Sequence, residues 1–196
     1  MELSQERREL LQIFVWNSRQ VLIEEFKDQL QSVYGIDQDN EDIIDLKYLR
    51  HLNDLDFEIA RILRDTLNHY IASPGTKIKT EIERIIREQA FTILNRLTAI
   101  KMAERREVCI EIITNAYEAE GFQVYKNLVK SSQGNIEKTY TNFLKSVFDE
   151  FSIDLPVLFD RNSSQGRLMP KPVVLLEVIK NLNALELDKL WDFDET

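Results

Sequence analysis

Histidine side chains are the first candidates for chemistry, because imidazole binds metal ions and transfers protons near neutral pH. The chain has two, His51 and His69, within one helical pattern. Their separation of 18 residues corresponds to about five helical turns, or about 27 Å along a straight helix. They cannot bind one metal ion unless that helix breaks. The sequence therefore predicts surface or boundary histidines, and neither His-Glu-x-x-His nor a Cys/His cluster with zinc spacing occurs.

Motifs for nucleotide binding, for amino-methyl transfer and for magnesium-dependent DNA cleavage are missing from the sequence. There is no Gly-x-Gly-x-x-Gly, no Walker A motif and no strand–glycine turn–helix unit. The Asn/Asp-Pro-Pro-Tyr/Phe motif of amino-methyltransferases is also missing, because the prolines stand at positions 74, 156, 170 and 172. Glu137-Lys138 and Glu177–Lys180 have the wrong spacing for a magnesium-dependent nuclease and fall in helical patterns. We therefore expect no catalytic, cofactor-binding or metal-binding residue in this chain.

A row of basic residues lies on the third predicted helix. Arg84, Arg87, Lys101 and Arg105 could contact DNA phosphates or an adjoining domain, and the first three could share a face. The alternative is an ordinary polar face, in which the cations pair with glutamates three or four residues away. The glutamates available for such pairs are Glu81, Glu83, Glu88 and Glu104.

Asn95-Arg96 interrupts an apolar stripe between Leu94 and Leu97. A partly buried arginine needs a charged or carbonyl partner, because burial without one is costly. The pair therefore predicts an interhelical network that organises the structure rather than binds a ligand. The candidate members of this network are Asn95, Arg96, Glu104 and Asp160.

The composition narrows the class of protein. A net charge of −9 argues against unaided, sequence-independent binding to nucleic acid, in which phosphate neutralisation supplies most of the affinity. The single cysteine, Cys109, lies in an apolar run, which predicts a buried and inert thiol. Neither a signal-peptide pattern nor an apolar run of membrane-spanning length occurs, so we expect a cytoplasmic protein that has no membrane partner.

The elements that position these residues are predicted to be helices. The chain has only 5 Gly and 4 Pro, and its apolar residues recur every three or four positions. This pattern predicts an all-α fold, a packed bundle of long helices with a short irregular or extended C-terminal segment. The predicted helices cover residues 4–33, 41–72 (where Asn53-Asp54 could break the helix), 76 to about 103–106, and 136–151, and another begins at Pro172.

The connections and the domain organisation are predicted less directly. The helical pattern resumes through residues 110–117 and falters at Gly121, while residues 155–160 predict an extended run and 161–166 a mobile loop. Val15 and Trp16 lie off the main stripe of the first helix, so we expect that helix to be buried on more than one side. The whole chain, residues 1–196, is predicted to be one helical domain. It comprises a long-helix bundle over 1–130 and a smaller helical extension over 131–196.

Three segments carry a resemblance to a known family. They are Ala90–Glu104 with its Asn-Arg-Leu, Pro156–Arg161 followed by Gly166–Pro170, and Trp191–Thr196. Their order and spacing resemble the front of large adenine-specific DNA methyltransferases, namely the PglX-like enzymes of BREX-type phage-defence systems and relatives of type IIG restriction–modification proteins. The resemblance covers about residues 3–196 and is clearest after residue 81. Lys101 departs from it, because the family usually has arginine near this position.

This resemblance implies a parent enzyme that transfers a methyl group from S-adenosylmethionine to N6 of a flipped-out adenine in DNA. The present chain would be its non-catalytic N-terminal helical domain. That domain would brace the catalytic domain, and it could contact DNA or a defence-system protein. In the family the acidic tail leads into the methyltransferase domain, which is missing here. The resemblance therefore implies either a truncated form or one subunit of a split enzyme, with the cofactor bound elsewhere in the parent.

Two other functions stay open at this stage. The chain could be a free-standing helical module for protein interaction or regulation, because it is acidic, helical and without a catalytic constellation. It could also bind nucleic acid alone, although that would need a positive face which the composition does not promise. The acidic tail separates the first two hypotheses, since a free module should have a self-contained end, whereas a cut domain should leave Trp191 and Phe193 under-packed or the tail frayed.

Overall fold

The computed structural model describes residues 5–129, 134–184, 187 and 191. Within these ranges the chain forms seven α-helices, two short 3-10 helices and one two-stranded antiparallel hairpin. The prediction of an all-α fold is therefore confirmed. Among the described residues, no helix is both long enough and apolar enough to cross a membrane.

Helix α1 spans Gln5–Ser32, and Gly35, which the sequence predicts to stop it, lies three residues after its end. Gly35 has a φ of 63°, which glycine adopts without the steric penalty of a side chain. The amides of Val33 and Tyr34 close the helix by donating to the carbonyl of Gln29. Because of this stop the chain turns back along α1 instead of continuing past it.

Residues 36–53 differ from the predicted loop and helix. Strand β1, Ile36–Asp37, pairs with β2, Asp42–Ile43, and a 3-10 helix follows at Leu46–Tyr48. The carboxylate of Asp37 accepts hydrogen bonds from the amides of Asp39 and Asn40. This local bonding competes with helix formation. The prediction of a helix from residue 41 is therefore wrong.

The break at Asn53-Asp54 does occur, and it marks the start of helix α2, Asp54–Ile71. The side chain of Asn53 accepts a hydrogen bond from the amide of Asp56, which is the standard N-cap contact. His51 and His69 are both exposed, as predicted. The ring of His51 forms a hydrogen bond with the carbonyl of Val33.

Helix α3, Ile78–Arg105, lies at the centre of the fold and packs against α1, α2, α6 and α7. Its extent matches the prediction, but its cap does not. The residue that precedes it is Lys77, which makes no side-chain cap, while the hydroxyl of Thr76 donates to the carbonyl of Ser73. Its buried face is mainly apolar but carries three long polar side chains, those of Gln89, Arg96 and Lys101.

The helical pattern after α3 is interrupted by backbone that a helix cannot contain. Glu107, Asn115 and Ala116 have positive φ angles, so residues 106–115 form an irregular loop. A 3-10 helix at Ala116–Glu118 and helix α4, Glu120–Leu128, follow. Gly121 lies inside α4, where an added Cβ would stand 2.7 Å from the carbonyl oxygen of Glu111. The sequence pattern predicts an end of the helix at Gly121. Instead, this glycine allows the carbonyl of Glu111 to approach α4 closely.

The C-terminal part is more helical than predicted. Helix α5, Ile136–Asp154, is followed by a single turn, α6, at Pro156–Phe159, so the predicted extended run at 155–160 is wrong. Pro156 favours this turn, because its fixed φ suits the first position of a helix. Helix α7, Pro172–Leu182, begins as predicted. Residues 160–171, between α6 and α7, contain no regular element.

The core is continuous through these elements, because buried residues of all the helices form one hydrophobic cluster. Aromatic rings fill the part around α5, where Tyr140 meets Phe122 edge to face at 5.0 Å. Helix α1 is less covered than predicted. Phe14 is buried, but Ile13, Val15 and Trp16 are exposed. Burial of this end of α1 on several sides is therefore not found.

Candidate functional site

Arg96 is the centre of a buried polar cluster on α3. Its side chain is 1% exposed. The guanidinium donates three hydrogen bonds, each 2.8 Å long, and each accepting atom is a backbone carbonyl oxygen. Nε reaches Leu158, Nη1 reaches Gly166 and Nη2 reaches Asp160. A planar guanidinium suits this task, because its five N–H groups point in fixed directions.

The environment of Arg96 leaves it charged at neutral pH. Burial lowers the pKa of its guanidinium to about 10, and the negative charge of Asp160 opposes this shift. The partner that the sequence suggests, Asp160, is therefore near Arg96, but it accepts through its main chain. The carboxylate of Asp160 instead accepts from the amide of Asn162. Glu104 makes no hydrogen bond with Arg96, and neither does the half-buried Asn95, among the contacts of the described residues.

Gln89, two turns before Arg96, also binds the main chain of the segment that follows α6, and it is not among the residues predicted from the sequence. Its side chain is fully buried. Nε2 donates to the carbonyl of Ser164 at 2.6 Å, and Oε1 accepts from the amides of Arg167 and Leu168 at 3.0 and 2.9 Å. The signal was available, since Gln89, like Arg96, is a polar residue inside an apolar stripe.

Helix α1 holds the same loop from its other end. The carboxylate of Glu25 accepts from the amide of Lys171 at 2.9 Å, and Gln29 donates to the carbonyl of Met169 at 3.0 Å. Both α1 side chains are buried. Residues 158–171, which we call the clamped segment, are therefore fastened by two polar side chains of α1 and two of α3. The segment includes the loop predicted to be mobile, and its main chain is tied down at several points.

A second polar cluster, the Glu104 network, lies at the C-terminal end of α3. The carboxylate of Glu104 accepts from the amides of Ile112, Ile113 and Thr114, and from the hydroxyl of Thr114. The ammonium of Lys101 donates to Thr114 Oγ1 and to Asn183 Oδ1, both at 2.7 Å. These bonds join the irregular loop 106–115 to the end of α7. Glu104 thus organises a different loop from the one that Arg96 holds.

The basic residues predicted to contact DNA or another domain do not form one surface. Lys101 is 3% exposed and belongs to the Glu104 network, so it does not share a face with the exposed Arg84 and Arg87. Burial removes its ammonium from any phosphate or docking partner. Arg105 is half-buried at the end of α3.

Arg84 and Arg87 line an open groove of about 450 Å³ together with Arg19 and Phe91. Arg84 stacks on the ring of Tyr70 at 3.8 Å and pairs with Glu88 at 3.0 Å. Arg87 pairs with Glu83, and Glu81 also lines the groove. The cations of this face are thus accompanied by glutamates at helical spacing. The net charge of this face is close to zero, so the face is better suited to binding another protein than to binding the phosphate backbone of DNA.

The Glu104 network predicts a measurable loss of stability for Glu104→Gln. The substitution keeps the shape of the side chain but replaces one accepting oxygen with an amide that can only donate. Charge-assisted bonds to several amides are lost or weakened, so the free energy of unfolding should fall by about 2–3 kcal/mol. Urea denaturation followed by circular dichroism measures this. Glu107→Gln, at an exposed position of the same loop, should leave the midpoint almost unchanged, and an equal loss in both variants would contradict the prediction.

Cys109 is partly buried, and its thiol is held in the protonated form. Burial, aided by the nearby charge of Glu104, raises its pKa to about 11. The thiolate is the reactive form, so at pH 8 alkylation should be about 100-fold slower than for an ordinary thiol. The rate of iodoacetamide labelling, followed by mass spectrometry, tests this in the folded protein. Unfolding in guanidinium should restore the ordinary rate, and a fast reaction of the folded protein would refute the prediction.

The segments that carry the family resemblance meet in space. Arg96, in the first segment, binds carbonyls of Leu158 and Asp160 in one half of the second segment and of Gly166 in the other. Of the third segment, Trp191 is buried against Phe14, so the under-packing expected of a cut domain is not found at this residue, while Phe193 lies outside the described residues. Comparison of the chain with protein-family models, curated proteins and solved structures gives no match.

Proposed function

We propose that this chain is the non-catalytic N-terminal helical domain of an S-adenosylmethionine-dependent adenine-N6 DNA methyltransferase of a phage-defence or restriction–modification system. The observation that supports this most is the contact between the segments that carry the resemblance. Residues 90–104 and 156–170 are about 60 residues apart in sequence, yet Arg96 joins them through three hydrogen bonds. A side chain of one segment that holds the main chain of the other gives a reason why these segments occur together in a family of this kind.

The domain's role in this proposal is mechanical. Helix α3 is 28 residues long and is packed by four other helices. Four buried polar side chains fix the clamped segment to α1 and α3, so these two helices and the segment are held in one fixed arrangement. A rigid brace positions a catalytic domain more accurately than a flexible linker does.

The reaction itself belongs to the parent enzyme's catalytic domain. This chain has no strand–glycine turn–helix unit with which to hold S-adenosylmethionine, and no group of three or more potential metal ligands lies together in the described ranges. The cofactor and the flipped adenine would therefore be bound elsewhere. We place the enzyme in the cytoplasm, where its DNA is found. Arg84 and Arg87 would serve contacts with the catalytic domain more readily than contacts with phosphates, because their face is shared with glutamates.

The experiment that tests the proposed function begins with the source gene. The reading frame should continue past codon 196, or an adjacent gene should supply the partner, and an Asn-Pro-Pro-Tyr-type motif should follow. The full product should then transfer a tritiated methyl group from S-adenosylmethionine to adenine in DNA. Replacing the asparagine of that motif with alanine should abolish transfer. A frame that ends at residue 196, with no methyltransferase gene beside it, would overturn the proposal.

A second candidate is a free-standing helical module that binds another protein. The exposed apolar residues of α1 favour it, because a monomeric protein rarely leaves several large apolar side chains uncovered together. Affinity capture with the purified chain as bait separates the two candidates. Recovery of a DNA methyltransferase supports the first proposal, while recovery of an unrelated protein supports the second.

A further inference from the structure

The N-terminal half of α1 presents apolar side chains that nothing in the described structure covers. Ile13 is 58% exposed and Trp16, one turn later, is 64% exposed. Residues three apart lie side by side on a helix, so the two form one patch. A tryptophan left this exposed is costly in water, and tryptophan is among the residues that contribute most at protein interfaces.

A groove of about 200 Å³ runs beside this patch. Its walls are Leu10, Ile13 and Phe14 of α1 on one side, and Ala184 and Leu187, which follow α7, on the other. We call the patch and the groove together the α1–α7 surface. Two asparagines, Asn17 and Asn181, also line the groove. An apolar centre with a few amide groups at its edge is the usual composition of a protein–protein interface.

The last described residue, Trp191, lies beside the α1–α7 surface. The ring of Trp191 packs edge to face on Phe14, with the centroids 6.3 Å apart, and its Nε1–H donates to the carbonyl of Leu182 at 3.1 Å. Five residues, Asp192–Thr196, follow it in the sequence. Even fully extended, five residues reach only about 17 Å. A polypeptide that continued beyond them would therefore start close to the α1–α7 surface.

We infer that the α1–α7 surface is where the catalytic domain of the parent enzyme docks, an inference that rests on the proposed function. Proximity selects this occupant over others. A domain tethered within about 17 Å experiences an effective concentration in the millimolar range, so modest apolar contacts are enough to hold it. Trp16 would be the anchor, inserted into the catalytic domain, and Ile13 would pack beside it.

Site-specific photo-crosslinking in the full-length parent enzyme tests this contact directly. A benzoyl-phenylalanine placed at position 16 should crosslink to peptides beyond residue 196 of the same polypeptide. The matched control is the same probe at position 55, since Leu55 is 79% exposed but lies on α2. Crosslinks confined to residues 1–196 would overturn the inference, and so would crosslinks to a second copy of the chain.

Activity of the full-length enzyme gives an independent readout. Trp16→Glu and Ile13→Glu should each lower methyl transfer at least tenfold, while Leu55→Glu should change it less than twofold. Far-ultraviolet circular dichroism of the same samples checks that each variant is folded. Unchanged activity in both α1 variants of an active parent would refute this docking surface and leave the proposed function standing. A parent protein without methyl-transfer activity would refute the proposed function itself.

Discussion

Replacing Arg96 with methionine should lower the free energy of unfolding by about 3–5 kcal/mol, which is large for one substitution. Methionine fills part of the same volume but donates no hydrogen bond. The carbonyls of Leu158, Asp160 and Gly166 would each lose a donor, and a buried acceptor without a partner costs about 1–3 kcal/mol. The clamped segment would then open, because its central attachment to α3 is lost.

Chemical denaturation with circular dichroism gives the size of this loss, and two further variants make it specific. Arg87→Met removes an arginine from the same helix, but from an exposed pair with Glu83, so its stability should stay close to that of the unaltered protein. Arg96→Lys keeps the charge but cannot reach three carbonyls at once, so it should fall between the two. If Arg96→Met were no worse than Arg87→Met, the role assigned to the buried guanidinium would be wrong.

The long helices could be predicted because their apolar residues repeat with the helical period over many turns. Helix α3 spans 28 residues, and its stripe leaves no alternative. The failures lie where a single side chain decides the backbone. Asp37 bonds to nearby amides and makes a turn, whereas the carboxylate of Glu104 holds residues 112–114 in an irregular loop. Neither effect changes the apolar pattern, which is why the pattern extended helices through both segments.

The buried polar residues could be predicted to need partners, but the partners themselves could not be chosen. Arg96 and Gln89 both stand in an apolar stripe, and this position alone implies satisfied hydrogen bonds. Their hydrogen-bond partners, however, lie 62 to 79 residues further along the chain. Only the packing of α6 and the clamped segment against α3 brings them close. Residue type and spacing therefore pointed to the carboxylates of Glu104 and Asp160 as partners of Arg96, whereas the fold supplies backbone carbonyls.

Exposure of Trp16 was missed for a different reason. A sequence pattern shows which face of a helix is apolar, but it does not show whether the same chain covers that face. Here Phe14 is covered by Trp191, while Ile13 and Trp16 are left open. The prediction that Val15 and Trp16, off the main stripe of α1, are buried is therefore wrong within the described residues. The docking inference follows from this difference.

Replacing Gly166 with alanine should cost about 2–3 kcal/mol, because there is no room for a methyl group. A Cβ at this position would overlap Nη2 of Arg96 and would stand 2.8 Å from Cγ2 of Thr92. Since the carbonyl of Gly166 accepts from Arg96, any shift that relieves the clash also strains or breaks that bond. Gly75→Ala is the contrasting control. Its Cβ would meet nothing within 4 Å, so only its left-handed φ of 85° opposes the change.

A double-mutant cycle decides whether Gly166 acts through Arg96. If it does, Gly166→Ala should be clearly less harmful in the Arg96→Met background, since the clashing guanidinium and the bond it makes are already gone. The coupling measured by urea denaturation should then be about 1–2 kcal/mol, which is the range for residues in direct contact. Additive effects would mean that Thr92 alone opposes the methyl group. In that case the steric fit of Gly166 against Thr92 and the hydrogen bonds of Arg96 would stabilise the clamped segment independently of each other.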